Sequence, residues 1–275
     1  MALETTDPLP CPHSFEWYDR LSQIQDGYFY PWKSNIGRNN GEKAFHDLLF
    51  EHLSPDSVVL DVGCGHGELT MEVARQCRTI YGYDRAKTFV EKATKSASKV
   101  GLKNCYFVLG DSSSPDPADQ SLVHIPIDGV RFDLVYSRRG PINFIQDAKR
   151  VAQNPGWIIQ LLPAHANPPP WVNELPVEFR TYIQKGDEFG MLKTVSQRLT
   201  SVGLQFHSYW FFDVPEYLEN TKQLFTYLSW NYLDKPPLDY DKMAPIFERI
   251  FAKYSEDGNI EIRHRRFLWT CHVKL

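Results

Sequence analysis

The feature of this sequence that most constrains its fold is a short apolar run that leads into closely spaced glycines. Residues 58–62 read Val-Val-Leu-Asp-Val, a pattern typical of a strand buried on both faces of a parallel sheet. Three glycines follow at alternate positions, just before a helical pattern begins: Gly63, Gly65 and Gly67. Glycine has no Cβ, so it permits a sharp turn and lets a ligand approach the main chain. The stretch therefore predicts a strand, a tight turn and a helix, with a ligand against the turn.

Two acidic residues indicate which ligand suits this turn. The next predicted strand ends at Asp84, where a carboxylate at the sheet edge can accept both hydroxyls of a ribose. A dinucleotide-binding fingerprint needs a third glycine at the position of Glu68. A carboxylate there would repel a pyrophosphate and would suit a cationic amino-acid moiety, such as the methionine part of S-adenosylmethionine. A tight turn that binds no ligand is the structural alternative.

Residues 61–67, Asp-Val-Gly-Cys-Gly-His-Gly, resemble the first motif of the class I S-adenosylmethionine-dependent methyltransferases. With the following strands and loops, the resemblance extends over roughly residues 56–162. It implies an α/β fold with a doubly wound, mostly parallel seven-stranded sheet and S-adenosylmethionine as cofactor. The positions that match the family imply this cofactor-binding set: Asp61, Gly63, Cys64, Gly65, Gly67, Glu68, Asp84, Arg85, Asp111, Ser112 and Ser137.

Within that set, the resemblance assigns the ribose to Asp84 and the adenine amino group to Asp111. Asp111 could instead simply close an Asx-turn after the third strand. His66 lies inside the glycine turn, where its main chain matters more than its ring.

The alternation of strands and helices predicts how the chain divides. We expect an N-terminal tail and cap over residues 1–54, a Rossmann-like core over 55–214, a helical insertion over 215–256 between strands six and seven, and a final core strand over 257–275. Such an apolar helical insertion must pack on something, either over the substrate cleft or against a second subunit in a homodimer.

Other segments give more local predictions. The patterns indicate a helix over 141–153, strand five over 157–162, strand six over 204–212 and a polyproline-type loop over 167–171. The N-terminal segment 15–32 is dense in aromatic residues. In the family such a segment commonly folds over cofactor and substrate; a hydrophobic helix docked on the core is the alternative.

Composition narrows the class of protein. The chain has 275 residues, 42% of them hydrophobic, so it can bury a full core. The net charge of −4 argues against a large nucleic-acid footprint. Five scattered cysteines without a Cys-x-x-Cys pair predict neither zinc nor disulfides, and the possible half-site at residues 11–13 is incomplete, so we expect no metal. Because there is no signal-peptide pattern and no apolar run near 20 residues, we expect a cytoplasmic protein without a membrane span.

Methyl transfer from a sulfonium mainly requires alignment and exclusion of water, so the sequence need not show a conspicuous catalytic triad. The loop after strand four, residues 137–141, contains the pair Arg138 and Arg139, which suggests an anionic substrate group. Alternatively, one arginine pairs with Asp133 or Asp147 and the other is solvated. His165, just after strand five, could serve as a general base, although a lone loop histidine is more often solvated.

The sequence therefore favours a methyltransferase that acts on a small anionic metabolite. RNA stays possible, because Pro163 and residues 171–175 faintly resemble rRNA guanine-N1 methyltransferases; the basic run 263–266 is a weaker signal, since neighbours on a strand face opposite ways. A third alternative is a non-catalytic subunit that keeps the cofactor fold as a scaffold.

Overall fold

The computed structural model describes residues 11–33, 35–116, 118–180 and 186–274. The strands in these residues are β1 Val58–Val62, β2 Thr79–Asp84, β3 Cys105–Leu109, β4 Phe132–Arg138, β5 Ala152–Ala164, β6 Ser208–Leu218 and β7 Ile260–Val273. The α-helices are α1 Phe15–Ile24, α2 Glu42–Glu51, α3 Glu68–Ala74, α4 Lys87–Lys99, α5 Ala148–Val151, α6 Val177–Arg180, α7 Gly190–Ser201, α8 Thr221–Ser229 and α9 Tyr240–Tyr254.

All seven strands form one sheet in the order β3-β2-β1-β4-β5-β7-β6. The strands from β3 through β5 pair in parallel, whereas β7 runs antiparallel to β5. The carboxyl ends of β1 and β4 lie side by side where the strand order reverses, and open α/β sheets bind ligands at such a point. The predicted doubly wound, mostly parallel seven-stranded sheet is confirmed.

The apolar run that forms β1 is buried on both faces of the sheet. Leu60 and Val62 pack on one face in a cluster that includes Phe144 from the segment after β4. Val59 points to the other face and packs in a cluster with Phe45 of α2. Each of these side chains is at most 1% exposed. A strand that is apolar on both faces thus requires helices on both sides of the sheet.

The chain divides into two compact units. One contains residues 1–36, 168–185 and 216–262, and the other contains residues 37–167, 186–215 and 263–275. The second unit holds β1 to β5 and most of β6 and β7, and therefore the glycine turn.

The first unit is organised around Trp230, which is buried among the rings of other aromatic residues. The Trp17 ring lies 5.4 Å from it in an edge-to-face arrangement, and the Trp17 Nε1 donates to the carbonyl of Asn231 at 3.0 Å. On the surface of the same unit, Arg20 binds both carboxylate oxygens of Asp234, at 2.6 and 2.7 Å. The N-terminal aromatic segment thus packs with residues of the helical insertion.

The predicted elements differ from the observed ones in three places. The helix expected over 141–153 is a 3-10 turn at Asn143–Asp147 followed by the single turn α5, because β5 already begins at Ala152. Strand six is later and longer than predicted and runs through Pro215; proline is tolerated there because β6 is an edge strand. The loop after β5 closes in a 3-10 helix at Pro170–Glu174, which begins with a proline, a residue suited to a first helical position.

Arg150 binds the loop that precedes β4, and these contacts predict how a substitution of Arg150 changes the stability of the protein. Its guanidinium binds Asp147 at 2.6 Å and donates to the carbonyls of Ile125 and Ile127 at 2.7 and 3.1 Å. Arg150→Lys should lower the free energy of unfolding by about 1–3 kcal/mol, because a lysine cannot reproduce the planar fork. Urea denaturation measures the loss, and Arg78→Lys at an exposed position is the control. Equal midpoints and slopes for the two variants would contradict the assignment.

Candidate functional site

The glycine turn after β1 adopts left-handed backbone conformations that explain its residue types. Gly65 has φ 54°, and a Cβ built on it meets no described atom within 4 Å, so the turn is open on that side. Gly67 has φ 79°, and a Cβ there would lie 2.6 Å from the Phe107 ring and 2.8 Å from the Cβ of Ala93. Gly65 thus leaves room for a ligand, whereas Gly67 permits close helix packing.

Asp84 lies at the end of β2 and its carboxylate is fixed by the main chain. Its Oδ2 accepts from the N–H of Gly65 and its Oδ1 from the N–H of Ala86, both at 2.9 Å. Burial raises the pKa of Asp84, and the two backbone hydrogen bonds oppose that rise. Because each carboxylate oxygen has a second lone pair, Asp84 can still accept a hydroxyl from a ligand beside the turn.

Asp61 is the buried acid within β1, with only 3% of its surface exposed. Its Oδ2 accepts from the Thr70 hydroxyl at 2.6 Å and from the Tyr136 hydroxyl at 2.9 Å. Burial raises the pKa of Asp61 to about 6, although these hydrogen bonds favour the ionised form. Sequence reasoning missed both hydroxyls, since only the fold brings α3 and β4 to this side chain.

The end of β3 carries the residues predicted for adenine. Asp111 Oδ1 accepts from the N–H of Ser113 at 2.9 Å, and its Oδ2 lies 3.8 Å from the Nε of Arg85. Ser112 is buried, accepts from the Tyr83 hydroxyl at 2.9 Å and donates to Asn143 Oδ1 at 3.2 Å. The Asx-turn is therefore present, and the same loop brings Asp111 and Ser112 to the carboxyl edge of the sheet, as the resemblance implies.

The remaining members of the predicted cofactor set have mainly structural contacts. The Ser137 hydroxyl donates to the carbonyl of Val62 at 2.9 Å and so ties β4 to β1. Cys64 packs against the main chain of Gly82, where an added Cβ would lie 2.8 Å from the Cys64 Cβ. Glu68 begins α3 with its side chain 76% exposed, 3.8 Å from the Nε2 of His66. None of these contacts tests a direct role in cofactor binding.

Arg138 and Arg139 share a carboxylate that sequence reasoning did not identify. Arg138 Nε donates to Glu42 Oε2 at 2.7 Å, and Arg139 Nε lies 3.8 Å from Glu42 Oε1. The alternative that one arginine pairs with Asp133 or Asp147 is wrong. Asp133 accepts from the N–H of Val58 at the start of β1. Asp147 is bound by the guanidinium of Arg150.

A third guanidinium joins this carboxylate from the last strand. Arg266 Nη1 donates to Glu42 Oε1 at 2.6 Å. Burial alone would raise the pKa of Glu42, but Arg139, Arg138 and Arg266 outweigh it and the pKa is lowered. Glu42 is therefore ionised and held at the carboxyl end of β4.

His165 lies after β5, where the sequence suggested a general base. Its ring packs directly against the main chain of Gly186, and its carbonyl accepts from Arg265 Nη1 at 3.5 Å. The first contact restrains the ring and the second involves only the main chain, so neither tests a catalytic role, which stays a prediction.

Among the described residues, no three His, Cys, Asp or Glu side chains are arranged to hold a metal ion. None of the helices described is long and apolar enough to cross a bilayer.

Comparisons with known proteins show what this chain is similar to. Residues 53–189 match the family model described as a methyltransferase domain. The chain is 33% identical over 61 residues to a probable cobalt-precorrin-6B C(15)-methyltransferase (decarboxylating) of Methanococcus vannielii. This match covers 22% of this chain and 34% of that protein. It is 30% identical over 117 residues to a probable (S)-tetrahydroprotoberberine N-methyltransferase 2 of Papaver bracteatum, over 41% of this chain and 32% of that protein. The chain thus spans about a third of the length of these curated relatives.

A solved structure is similar over nearly the whole chain. It is a functionally unknown protein from Deinococcus radiodurans R1, with a TM-score of 0.63 and 19% identity, and the match covers 93% of this chain and 98% of that one. At this level of identity the likeness shows a shared fold.

The raised pKa of Asp61 predicts a pH dependence of stability. The unfolded side chain loses its proton near pH 4, whereas the folded one holds it to about 6, so this group's contribution falls as pH rises between those values. Asp61→Asn should remove that fall and be more stable than the parent by about 1–3 kcal/mol above pH 6, with no difference below pH 4. Urea denaturation from pH 3 to 8 measures this, with the exposed Asp56→Asn as control. A difference that does not vary with pH would exclude the assignment.

The backbone at Arg139 predicts a second effect on stability. Arg139 has φ 63°, a left-handed conformation that costs a residue with a Cβ about 1 kcal/mol. Both Arg139→Gly and Arg139→Ala remove the guanidinium, but only glycine relieves the backbone. The glycine variant should therefore be about 1 kcal/mol more stable than the alanine variant, measured by urea denaturation. Equal stabilities would mean that position 139 carries no such strain.

Proposed function

The chain belongs to the family of class I methyltransferase domains through residues 53–189, and from that premise we propose that it uses S-adenosylmethionine to methylate a small, anionic metabolite. The observation that carries the cofactor assignment is the carboxylate of Asp84. It is fixed by two backbone N–H groups, one of them from Gly65, beside a turn that is open at that glycine. A ribose that lies along the turn would donate its hydroxyls to Asp84.

The residues around the turn fit the rest of such a ligand. Asp111 follows the adjacent strand, where its carboxylate would accept from an adenine amino group, and the buried Ser112 holds the same loop through Tyr83 and Asn143. The buried carboxylate of Asp61, in β1 just before the glycine turn, would attract the cationic methionine end. When bound, S-adenosylmethionine supplies a methyl group on a positively charged sulfur. The chain's own contribution is to hold the acceptor in line with that methyl and to keep water away.

The loop after β4 is anchored at both ends, which supports a role in positioning the acceptor. The Ser137 hydroxyl is bound to β1, and Gln160 Nε2 donates to the carbonyl of Pro141 at 2.8 Å. Between these two anchors, Arg138 keeps 37% of its side chain exposed. The relatives' names give two dissimilar acceptors, so the proposal of an anionic metabolite rests on this arginine and its neighbours.

The proposal predicts a loss of cofactor affinity when the carboxylate of Asp84 is removed. Asp84→Ala should lose a charge-assisted hydrogen bond and weaken S-adenosylmethionine binding by about 1.5–3 kcal/mol, or roughly 10- to 150-fold. Calorimetric titration measures the affinity, with Asp56→Asn as a matched acidic control that should bind like the parent. Circular dichroism of each variant separates a binding defect from unfolding. Affinity that is unchanged in a folded Asp84→Ala would remove this role from the residue.

Methyl-transfer assays would separate the proposal from its rivals. Labelled methyl incorporation into one of a panel of small acids supports a metabolite acceptor, whereas incorporation into rRNA fragments would support the RNA alternative. A folded protein that binds neither S-adenosylmethionine nor S-adenosylhomocysteine would support the scaffold alternative.

A further inference from the structure

Three side chains from distant parts of the sequence form a continuous chain of hydrogen bonds, which we call the Glu42 relay: Arg266, Glu42 and Arg138. Arg266 Nη1 donates to the carbonyl of Asn40 at 3.3 Å and to Glu42 Oε1 at 2.6 Å. The second oxygen of Glu42 accepts from Arg138 Nε at 2.7 Å. Arg266 is the more buried arginine, with 10% of its side chain exposed. The relay thus runs from an anchored arginine to a more exposed one.

The relay determines which edge of the Arg138 guanidinium is available. Glu42 binds the Nε, on the side of the group. Within the described ranges, the two Nη nitrogens of Arg138 make no hydrogen bond, so the end of the guanidinium presents two parallel N–H groups. That fork matches the two oxygens of a carboxylate, and a bidentate pair of this kind is both strong and directional.

The fork lies at the proposed reaction site. Arg138 is the last residue of β4 and follows Tyr136, whose hydroxyl binds Asp61. Its positive charge acts on two groups of the cofactor turn: it opposes the rise in the pKa of Asp61 and lowers the pKa of His66, where burial is the larger cause. In addition, β4 pairs with β1, and a Cβ added to Gly63 of the turn would lie 3.1 Å from the Pro141 Cδ in the loop after β4. A ligand on the Arg138 fork would therefore be adjacent to the glycine turn.

We propose that the Nη fork of Arg138 binds a carboxylate group of the methyl acceptor, and that Glu42 and Arg266 act as positioning residues. This inference rests on the proposed function and narrows its substrate class to carboxylic acids. The cluster already holds one carboxylate, that of Glu42, through Arg266 Nη1 at 2.6 Å and Arg138 Nε at 2.7 Å. Arginine forks bind phosphate as well as carboxylate. Inorganic phosphate, however, carries more negative charge near neutral pH and would lie beside the ionised Glu42, so we expect the fork to favour a carboxylate.

The test compares carboxylic acids with their primary amides. A panel of small aliphatic and aromatic acids, each with its matched amide, and inorganic phosphate are titrated into the full chain with and without S-adenosylhomocysteine. We expect acids to bind more tightly than their amides and than phosphate. Arg138→Gln should weaken acid binding about 10- to 100-fold, and Arg138→Lys should weaken it by less, because the charge remains but the fork is lost.

Substitution of Glu42 tests the positioning role through anion preference, which the loss of a purely structural residue would not change. Glu42→Gln leaves the positive charges in place but removes the ion that orients Arg138. It should therefore reduce the preference for carboxylate over inorganic phosphate by about 3- to 10-fold, more than it changes the affinity for either anion alone. The control matched to Arg138→Gln is Arg263→Gln in β7, where the Arg263 guanidinium binds Asp213 at 2.8 and 3.0 Å. That variant should keep the parent's affinities within about twofold.

The outcomes separate this inference from the function on which it rests. If S-adenosylhomocysteine binds but no acid exceeds its amide, the carboxylate site is excluded and the cofactor assignment stands. Phosphate binding that exceeds every acid, or acid binding that Arg138→Gln leaves unchanged, would also overturn the inference. If the unmodified chain does not bind S-adenosylhomocysteine, the proposed function fails, and with it the acceptor role of Arg138. Labelled methyl transfer to an acid that binds would support both.

Discussion

Burial of β1 on both faces is the constraint on which the rest of this structure depends. A strand that reads Val-Val-Leu-Asp-Val can be stable only with helices packed on either side, which requires parallel neighbours joined by crossovers. Parallel strands then bring their carboxyl ends to one edge. Asp84 and Asp111 reach the same edge for this reason, although they belong to different crossovers. The site is therefore a direct consequence of how the core packs.

The same burial places the carboxylate of Asp61 where its ionisation is unfavourable. Asp61 is buried within the sheet, and among the described residues the hydrogen bonds to its carboxylate come from two neutral hydroxyls, those of Thr70 and Tyr136. Since neutral donors compensate an ion only in part, its proton affinity rises. A cationic ligand at the turn would supply the missing compensation. An acid that destabilises the empty fold in this way makes physical sense in a site for a positively charged ligand, where stability is exchanged for binding energy.

Local patterns in the sequence were sufficient for some features and insufficient for others. The strand, the glycine turn and Asp84 lie within 27 residues (58–84), so periodicity and residue type predict them together. Glu42 and Arg266 are 224 positions apart, and only the pairing of β7 beside β5 brings the arginine to α2. The helix over 141–153 was predicted too long for a different reason: the apolar spacing fits a helix, but the residues from Ala152 onward form sheet hydrogen bonds as part of β5. Tertiary pairing overrode local preference there.

The end of β4 shows how the fold maintains a bend that local preference disfavours. Arg139 is left-handed, and Gly140 follows it so closely against β1 that an added Cβ would lie 2.6 Å from the Val62 carbonyl. The bend persists because Gln160 binds the carbonyl of Pro141 on one side while Arg138 is bound to Glu42 on the other. Strained backbone survives only where its surroundings over-determine it. Rigid attachment of this kind is what an in-line displacement would need from a residue that orients the acceptor, the role proposed for Arg138, because a small misplacement of the reacting atoms greatly lowers the rate.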